Sequence, residues 1–303
     1  MNKENPIVVS LFDGMSCMRI TLEKMGVTPG KYFASEIDPH ANKEVAANWP
    51  DTIQLGDVTK WREWDLDWSK VDLLVGGSPC QGFSFAGKQA GTKANLNGVD
   101  FIIETREQYL QAKADGATFY SQSHLFWEYV LCLDYVKEQS PNLKFMLENV
   151  KMKKCFLDMI TEALGVEPVF INSALVSAQN RQRYYWANRK ITQPEDRGIL
   201  LADILESGVV DRYKSHCLDA NYFKGGNLES YFGKNRRQLV FVNSLDDITS
   251  YRKLTVVECC RLQGVPDDYF KVSSNTQAYK MLGNGWQCDT IEHIFNCLFS
   301  IKG

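Results

Sequence analysis

The strongest constraint on this chain is an alternation. Short apolar, β-branched runs recur at IVVSLF (7–12), YFASEI (32–37), TIQLGDV (52–58), VDLLVGG (71–77) and KFMLENV (144–150). Between them lie stretches with helical spacing. These are RITLEKMG (19–26), which ends on Gly26, PHANKEVAANW (39–49), with proline in its first turn, SQSHLFWEYVLCLDYVKEQ (121–139) and KCFLDMITEALG (154–165). Apolar strands separated by amphipathic helices predict βαβ units and a doubly wound α/β sheet covered on both faces. EPVFINSALV (167–176) and RQRYYWANR (181–189) read as a last strand pair.

From about 190 to 250 the pattern breaks, and turn formers such as NYFKGGN dominate. Helical spacing returns in LTVVECCRLQG (254–264) and WQCDTIEHIFNCLF (286–299), where Trp286 is expected to pack the last helix. The expectation is a catalytic and cofactor-binding domain over 1–189, a small irregular domain over 190–250, and helices over 251–303 that return to the first domain. The connection from Lys88 to Ser121 is long for a strand-to-helix link and reads as a lid, with one helix near Glu104 to Ala114.

Composition narrows the class. No apolar run approaches the ~18 residues a membrane helix needs, and the start MNKENPIVVSLFDG lacks the build of a signal peptide. Nine cysteines without regular spacing and four scattered histidines point to reduced thiols in a cytoplasmic protein and to no metal site. The net charge of −3 is unevenly spread. Residues 181–240 carry 11 Lys/Arg against 7 Asp/Glu, a net of +4, so the rest carries about −7. That asymmetry hints at an anionic partner.

LLVGGSPCQGFSFAGK (73–88) concentrates the chemistry. Ligands of doubly wound sheets bind beyond the carboxyl ends of the strands, and Ser78-Pro79-Cys80 sits at such an end. Proline fixes the backbone before the cysteine, and Gly82 permits close approach of another group. Cys80 is therefore presented as a candidate nucleophile, provided something lowers its pKa. In LFDGMSC (11–17), Gly14 and the small Ser16 and Cys17 occupy the turn before a helix, where a cofactor can lie against the backbone. Glu36 ends the second strand, where an acid can bind a ribose diol, and Asp57 ends the third. A GxGxxG dinucleotide fingerprint is absent.

In this order the motifs resemble the DNA (cytosine-5)-methyltransferase family of the single-chain kind found in bacteria and phages. SPCQGFSFAGKQ resembles its Pro-Cys motif, LENV (147–150) its Glu-Asn-Val motif, AQNRQR (178–183) its Gln-x-Arg-x-Arg motif, GNGW (283–286) its terminal Gly-Asn motif, and LFDG its cofactor loop. The resemblance covers nearly all of the chain outside 190–250. It implies a Rossmann-like sheet of the class I S-adenosylmethionine-dependent kind, with a small target-recognition domain.

The resemblance implies Cys80 as the nucleophile that adds to C6 of cytosine. It implies Glu148 as the group that protonates or hydrogen-bonds N3, since a partly desolvated carboxyl can keep a proton near neutral pH. It implies Arg183 on the ring O2, and Arg181 orienting Glu148 or a phosphate. The methyl donor is then S-adenosylmethionine, held by Phe12, Asp13, Gly14, Ser16, Glu36, Asp57, Pro79 and Asn284. Duplex DNA, with the target base flipped out, is then met by Gln81, Ser84, Lys224, Lys234, Arg236 and Arg237. The chain is expected to act as a monomer. The family often has a glycine pair where this chain has Ser16-Cys17, and its connection over 88–120 is longer than in the shortest members. The alternative is a catalytically silent DNA-binding protein on the same scaffold, against which the joint presence of Cys80, Glu148, Arg181 and Arg183 argues.

Overall fold

The structure is a computed structural model that describes residues 5–84 and 90–299. Residues 85–89, which include the first two residues of the expected lid, lie outside the described residues. A seven-stranded sheet forms the centre, in the order β3-β2-β1-β4-β8-β10-β9. Its strands are β1 (Ile7–Leu11), β2 (Lys31–Ser35), β3 (Ile53–Gln54), β4 (Leu73–Gly76), β8 (Lys144–Val150), β9 (Val169–Asn172) and β10 (Gln182–Ala187). The strands from β3 to β8 run parallel, while β10 pairs antiparallel with both β8 and β9.

Side chains of a strand alternate between faces, and here both faces are apolar. Val9, Leu74, Phe145, Leu147 and Trp186 enter one core, and Val8, Leu73, Val75, Met146 and Tyr185 enter the other. Helices α1 (Cys17–Lys24), α7 (Val256–Gln263), α8 (Asn275–Asn284) and α9 (Cys288–Phe299) contribute to the second core. Helices α4 (Phe126–Gln139) and α5 (Lys154–Leu164) contribute to the first. Helix α2 (Pro39–Asn48) starts as its sequence suggests: Asp38 caps it by accepting from His40 N, and proline takes the first turn, where its missing N–H costs nothing. Helix α9 returns to α1, with Thr21 Oγ1 donating to Cys288 O at 3.3 Å and Lys24 paired with Asp289 at 2.8 Å.

The long connection after β4 is an ordered subdomain where it is described. Strands β5 (Lys93–Leu96), β6 (Val99–Ile102) and β7 (Thr118–Phe119) form a small sheet, and α3 (Arg106–Ala114) lies within it in sequence. Only the helix was legible in the sequence. Fully buried Glu128 on α4 docks this unit by accepting from Tyr109 Oη (2.7 Å) and Lys113 Nζ (2.5 Å) of α3, and it also accepts from Trp61 Nε1 (3.2 Å) of the main domain.

Between 190 and 250 regular structure is sparse, limited to two single-turn helices (Leu201–Ile204 and Tyr222–Lys224), α6 (Leu228–Lys234) and β11 (Leu239–Phe241). Strand β11 pairs with β12 (Tyr251–Lys253), so this hairpin crosses the expected limit at residue 250. Leu201, Leu218, Tyr222 and Val240 join the α1/α9 core, so the segment is anchored on the main sheet.

Candidate active site

A cleft of about 290 Å³ opens at the carboxyl ends of the parallel strands. The loop after β1 brings Phe12, Asp13 and Gly14, the end of β2 brings Glu36, the turn after β3 brings Asp57, and the loop after β4 brings Pro79, Cys80 and Gln81. Strand β8 contributes Glu148, and α8 contributes Asn284. Because β10 is antiparallel, its amino end lies beside the carboxyl end of β8, so Arg181 and Arg183 reach the same cleft.

The catalytic end is built on strand register. Gly76 of β4 pairs with Leu147 of β8, which sets Glu148 beside Gly77. A Cβ on Gly77 would stand 2.7 Å from Trp286 Nε1 and 3.3 Å from Glu148 Oε2, so glycine is needed for these two to approach. Asn149 fastens the two strand ends, donating to Ser78 Oγ at 3.1 Å. Glu148 lies opposite Tyr185 and Arg183 opposite Val150, which makes Glu148 and Arg183 a diagonal cross-strand pair. Arg183 Nε reaches Glu148 Oε1 at 2.8 Å. Burial pushes the Cys80 thiol above its ordinary value, the charge of Glu148 adds to this, and Arg183 and Arg181 only partly oppose it. The site therefore does not lower the thiol's pKa, contrary to what a pre-activated nucleophile needs.

The two arginines divide the work differently from expectation. Arg183 holds Glu148. Arg181, 2% exposed, points its guanidinium at backbone carbonyls: Leu218 O (3.1 Å), Gly283 O (3.2 Å) and Gly285 O (2.6 Å). The reason is geometric, since alternate strand residues diverge when their guanidinium groups find different acceptors within reach. Cys217, which no sequence signal marked, lies against both, with its Sγ 3.5 Å from Arg181 Nη1 and 4.0 Å from Arg183 Nη2. Burial alone would raise the Cys217 thiol, but the two guanidinium groups bring it below the usual thiol value.

At the cofactor end, Glu36 Oε2 accepts from Gly14 N (2.8 Å), and Oε1 accepts from Ile37 N (2.8 Å) and Asp38 N (2.7 Å). A carboxylate oxygen with one bond retains a lone pair, so Oε2 keeps capacity for a hydroxyl. Asp57 places both of its bonds, from Thr59 N and Oγ1, on Oδ1. Phe12 holds φ at +58°, a left-handed backbone that is costly for an aromatic residue, and its ring both borders the cleft and packs on the core. These acids, the aromatic ring and the glycine-bearing turn fit a nucleoside with hydroxyl and amino donors. Buried Asp13 accepts from Tyr32 Oη at 2.8 Å and from Ser16 Oγ, and burial pushes its carboxyl up to about 6.

Two expectations need correction here. Ser16 is fully buried and does not line the cleft, because its hydroxyl is turned onto Asp13. Trp286 does more than pack α9, since its indole borders the cleft beside Gly77. Lys280, unmarked in the sequence, spans the rim to Asp38 at 2.8 Å. Of the expected DNA contacts, Gln81 lies in the cleft and Ser84 just outside it, bridged to Met152. Lys224, Lys234 and Arg236 are exposed and do not line the cleft. Arg236 and Arg237 both lie near Asp219, at 3.5 and 4.0 Å, and Arg237 also donates to Gly225 O at 3.0 Å. Among the described residues no cluster of His, Cys, Asp and Glu could hold a metal ion, and no helix is long and apolar enough to cross a membrane.

A doubly wound sheet with acids after its second and third strands, and a Pro-Cys loop facing a Glu–Arg pair, defines an α/β methyltransferase of the cysteine-bearing kind. The profile of the family described as C-5 cytosine-specific DNA methylase matches residues 7–105 and 171–300, and the chain belongs to that family. It is 27% identical to the type II methyltransferase M1.ScrFI of Lactococcus lactis subsp. cremoris, over 95% of this chain and 76% of that one. It is 28% identical to the type II methyltransferase M.HpaII of Haemophilus parainfluenzae, over 93% and 86%. Among solved structures it resembles the Entamoeba histolytica methyltransferase EhMeth (TM-score 0.63, 15% identity, 99% of each chain). It also resembles S. pombe Dnmt2 (TM-score 0.61, 15% identity, 98% of each chain). At such identities these likenesses speak for the fold alone, a Rossmann-like methyltransferase fold.

Proposed function

We propose that the protein transfers a methyl group from S-adenosylmethionine to C5 of a cytosine flipped out of duplex DNA, through a bond between Cys80 and C6. The observation that carries this reading is the meeting of Cys80, Glu148 and Arg183 in one cleft with Phe12, Asp13, Gly14, Glu36, Asp57, Pro79 and Asn284. When bound, the donor supplies an electrophilic methyl on a sulfonium. The chain supplies the rest. Cys80 sulfur adds to C6, and the displaced electron pair moves to C5 and N3. The thiol proton passes by way of Glu148 to N3, so the raised pKa of Cys80 is no obstacle: no free thiolate need persist before the base arrives. Arg183, with one face on Glu148, holds O2. C5 then takes the methyl as its bond to the donor sulfur breaks, leaving a neutral thioether; the C5 proton leaves to water or a base, the Cys80 sulfur departs from C6 as the C5–C6 double bond re-forms, and the N3 proton returns by way of Glu148 to that sulfur.

Flipping costs a few kcal/mol of stacking and pairing. The 190–250 segment, as a target-recognition domain over the 1–189 and 251–303 parts, would offset this through contacts to DNA by Lys224, Lys234, Arg236 and Arg237, with Gln81 and Ser84 near the flipped base. The type II relatives favour a role beside a restriction enzyme; we place the enzyme in the cytoplasm, as a monomer. The test is a mixed-sequence pool of duplexes carrying 5-fluorocytosine, whose fluorine cannot leave as a proton. With S-adenosylmethionine the wild type should give a denaturation-resistant protein–DNA band, absent in Cys80→Ala. No band despite measured DNA binding would favour a silent binding protein instead.

A further inference from the structure

The loop that carries Cys80 is clamped from outside the motif. Ser123, fully buried, donates from Oγ to Pro79 O at 2.8 Å and accepts from Gly82 N at 2.9 Å. These two backbone groups flank Cys80. Ser123 belongs to a single-turn helix, Gln122–Leu125, that runs directly into α4, and Ser121 Oγ caps its start by accepting from Ser123 N at 3.2 Å. Ser121 Oγ in turn donates to Gly91 O at 2.9 Å, and Gly91 N donates to Gly82 O at 2.9 Å. The packing is tight enough to fix the residue at 82. A Cβ there would stand 2.4 Å from Ser121 Oγ, 2.7 Å from Gly91 O and 2.9 Å from Ser123 Oγ.

We propose that Ser123 is a positioning residue for the nucleophile: its single hydroxyl fixes the backbone on both sides of Cys80 and so aims the sulfur at the base. The inference rests on Cys80 acting as proposed above. A loop held only by its own turn would wander by the ångström or so that matters to a bond-forming step. Here the loop is referred to a rigid element, the start of α4, through one side chain. The glycine at 82, expected from the sequence to permit close approach, has that approach made by Ser121 and Ser123.

The experiment follows the rate of the covalent adduct with the same 5-fluorocytosine duplex pool and S-adenosylmethionine, in wild type, Ser123→Ala, Gly82→Ala and the double variant. Dissociation constants for duplex and donor are measured alongside. Ser123→Ala should slow adduct formation by about 10- to 100-fold, with both dissociation constants within about twofold of wild type. Gly82→Ala breaks the same clamp from the other side. Its defect should be at least as large, because the added Cβ also meets Ser121 Oγ and Gly91 O, and the double variant should be no slower than the slower single variant, as expected when both changes remove one interaction. Adduct formation in Ser123→Ala at the wild-type rate overturns the proposal, as does a double variant whose defects multiply. Should Ser123→Ala melt below the assay temperature, Gly82→Ala decides alone, and an unchanged rate there overturns the proposal. If the wild type forms no adduct, the reading of Cys80 falls and this inference with it, whereas a normal wild-type adduct with an indifferent Ser123→Ala sinks only the inference.

Discussion

The division between the two arginines gives a sharp prediction. Replacing Arg181 by methionine keeps the length and removes the donors. Three carbonyls lose a charged partner: Leu218 O, Gly283 O and Gly285 O. They are not equally stranded. Gly285 O keeps a 3.3 Å bond from Gln263 Nε2, and Leu218 O keeps a weak 3.6 Å contact from Cys217 Sγ. Gly283 O is left without a replacement among the hydrogen bonds of the described residues. A buried group stripped of its partner costs about 1–3 kcal/mol, so one full loss and two partial ones come to about 2–5 kcal/mol. For a chain of this size that is roughly a 3–8 °C fall in Tm. Arg183→Met instead strands the carboxylate of Glu148, itself largely buried, so it should lower Tm as well and abolish methyl transfer. Thermal unfolding followed by circular dichroism, with methyl transfer from labelled donor, reads both effects in each variant. If Arg181→Met unfolds within about 2 °C of wild type yet is inactive, Arg181 acts on substrate, and the clamp is the wrong account of it.

Three further outcomes are expected. Glu148→Gln removes the anion that helps hold the Cys80 thiol high, so free enzyme should alkylate faster at Cys80 while methyl transfer falls. Peptide mass spectrometry with exposed Cys155 as internal reference reads this, and equal alkylation in both proteins refutes the electrostatic account. Asp13, raised from 3.8 to about 6, holds a proton in the folded state that the unfolded chain gives up, so its contribution to stability falls as pH rises from about 4 to 6 and is constant above. The urea-derived stability of wild type relative to Asp13→Asn should thus drop by about 2–4 kcal/mol between pH 4 and 7, and a flat difference is incompatible with a buried, titrating carboxyl. Finally, Lys234→Ala and Arg236→Ala should each reduce the slope of log K against log salt for duplex binding by about one, and unchanged slopes would remove these residues from the DNA contact.

The sheet could be read from the sequence because its central strands carry their own apolar signature, and strands buried on two faces have nowhere else to go. The site could be read because strand ends place Phe12, Glu36, Asp57 and Cys80 in one row, whatever the loops do. The remainder depended on information that is not local. Strands β5 to β7 are only two to four residues long and mix polar with apolar residues, as in KANL and VDFI, and their register comes from cross-strand bonds that no periodicity announces. Helix α8 was missed because NTQAYKMLGN has no apolar run, although its capping serine, Ser274, could have been noticed. The roles of Arg181 and Arg183 could not be apportioned, since each depends on which acceptors the 217–218 and 283–285 segments bring to it. Cys217 reaches the site from 69 residues after Glu148 by the same route.

The docking of α9 on α1 carries a consequence for synthesis. The first helix buries Cys17 through Leu22, and part of its cover is Cys288, Ile291 and Phe295, made more than 260 residues later. On the ribosome, the turn bearing Asp13 and Gly14 therefore leads into a helix whose apolar side stays uncovered until α9 has been made. At ordinary elongation rates of about 5–20 residues per second, that interval lasts roughly 13–50 seconds. The nascent chain can pair β1 with β2 early, yet cannot seat the turn bearing Asp13 and Gly14 until helix α9 emerges. Holdase chaperones should find their substrate in that interval, at the amino end of the chain.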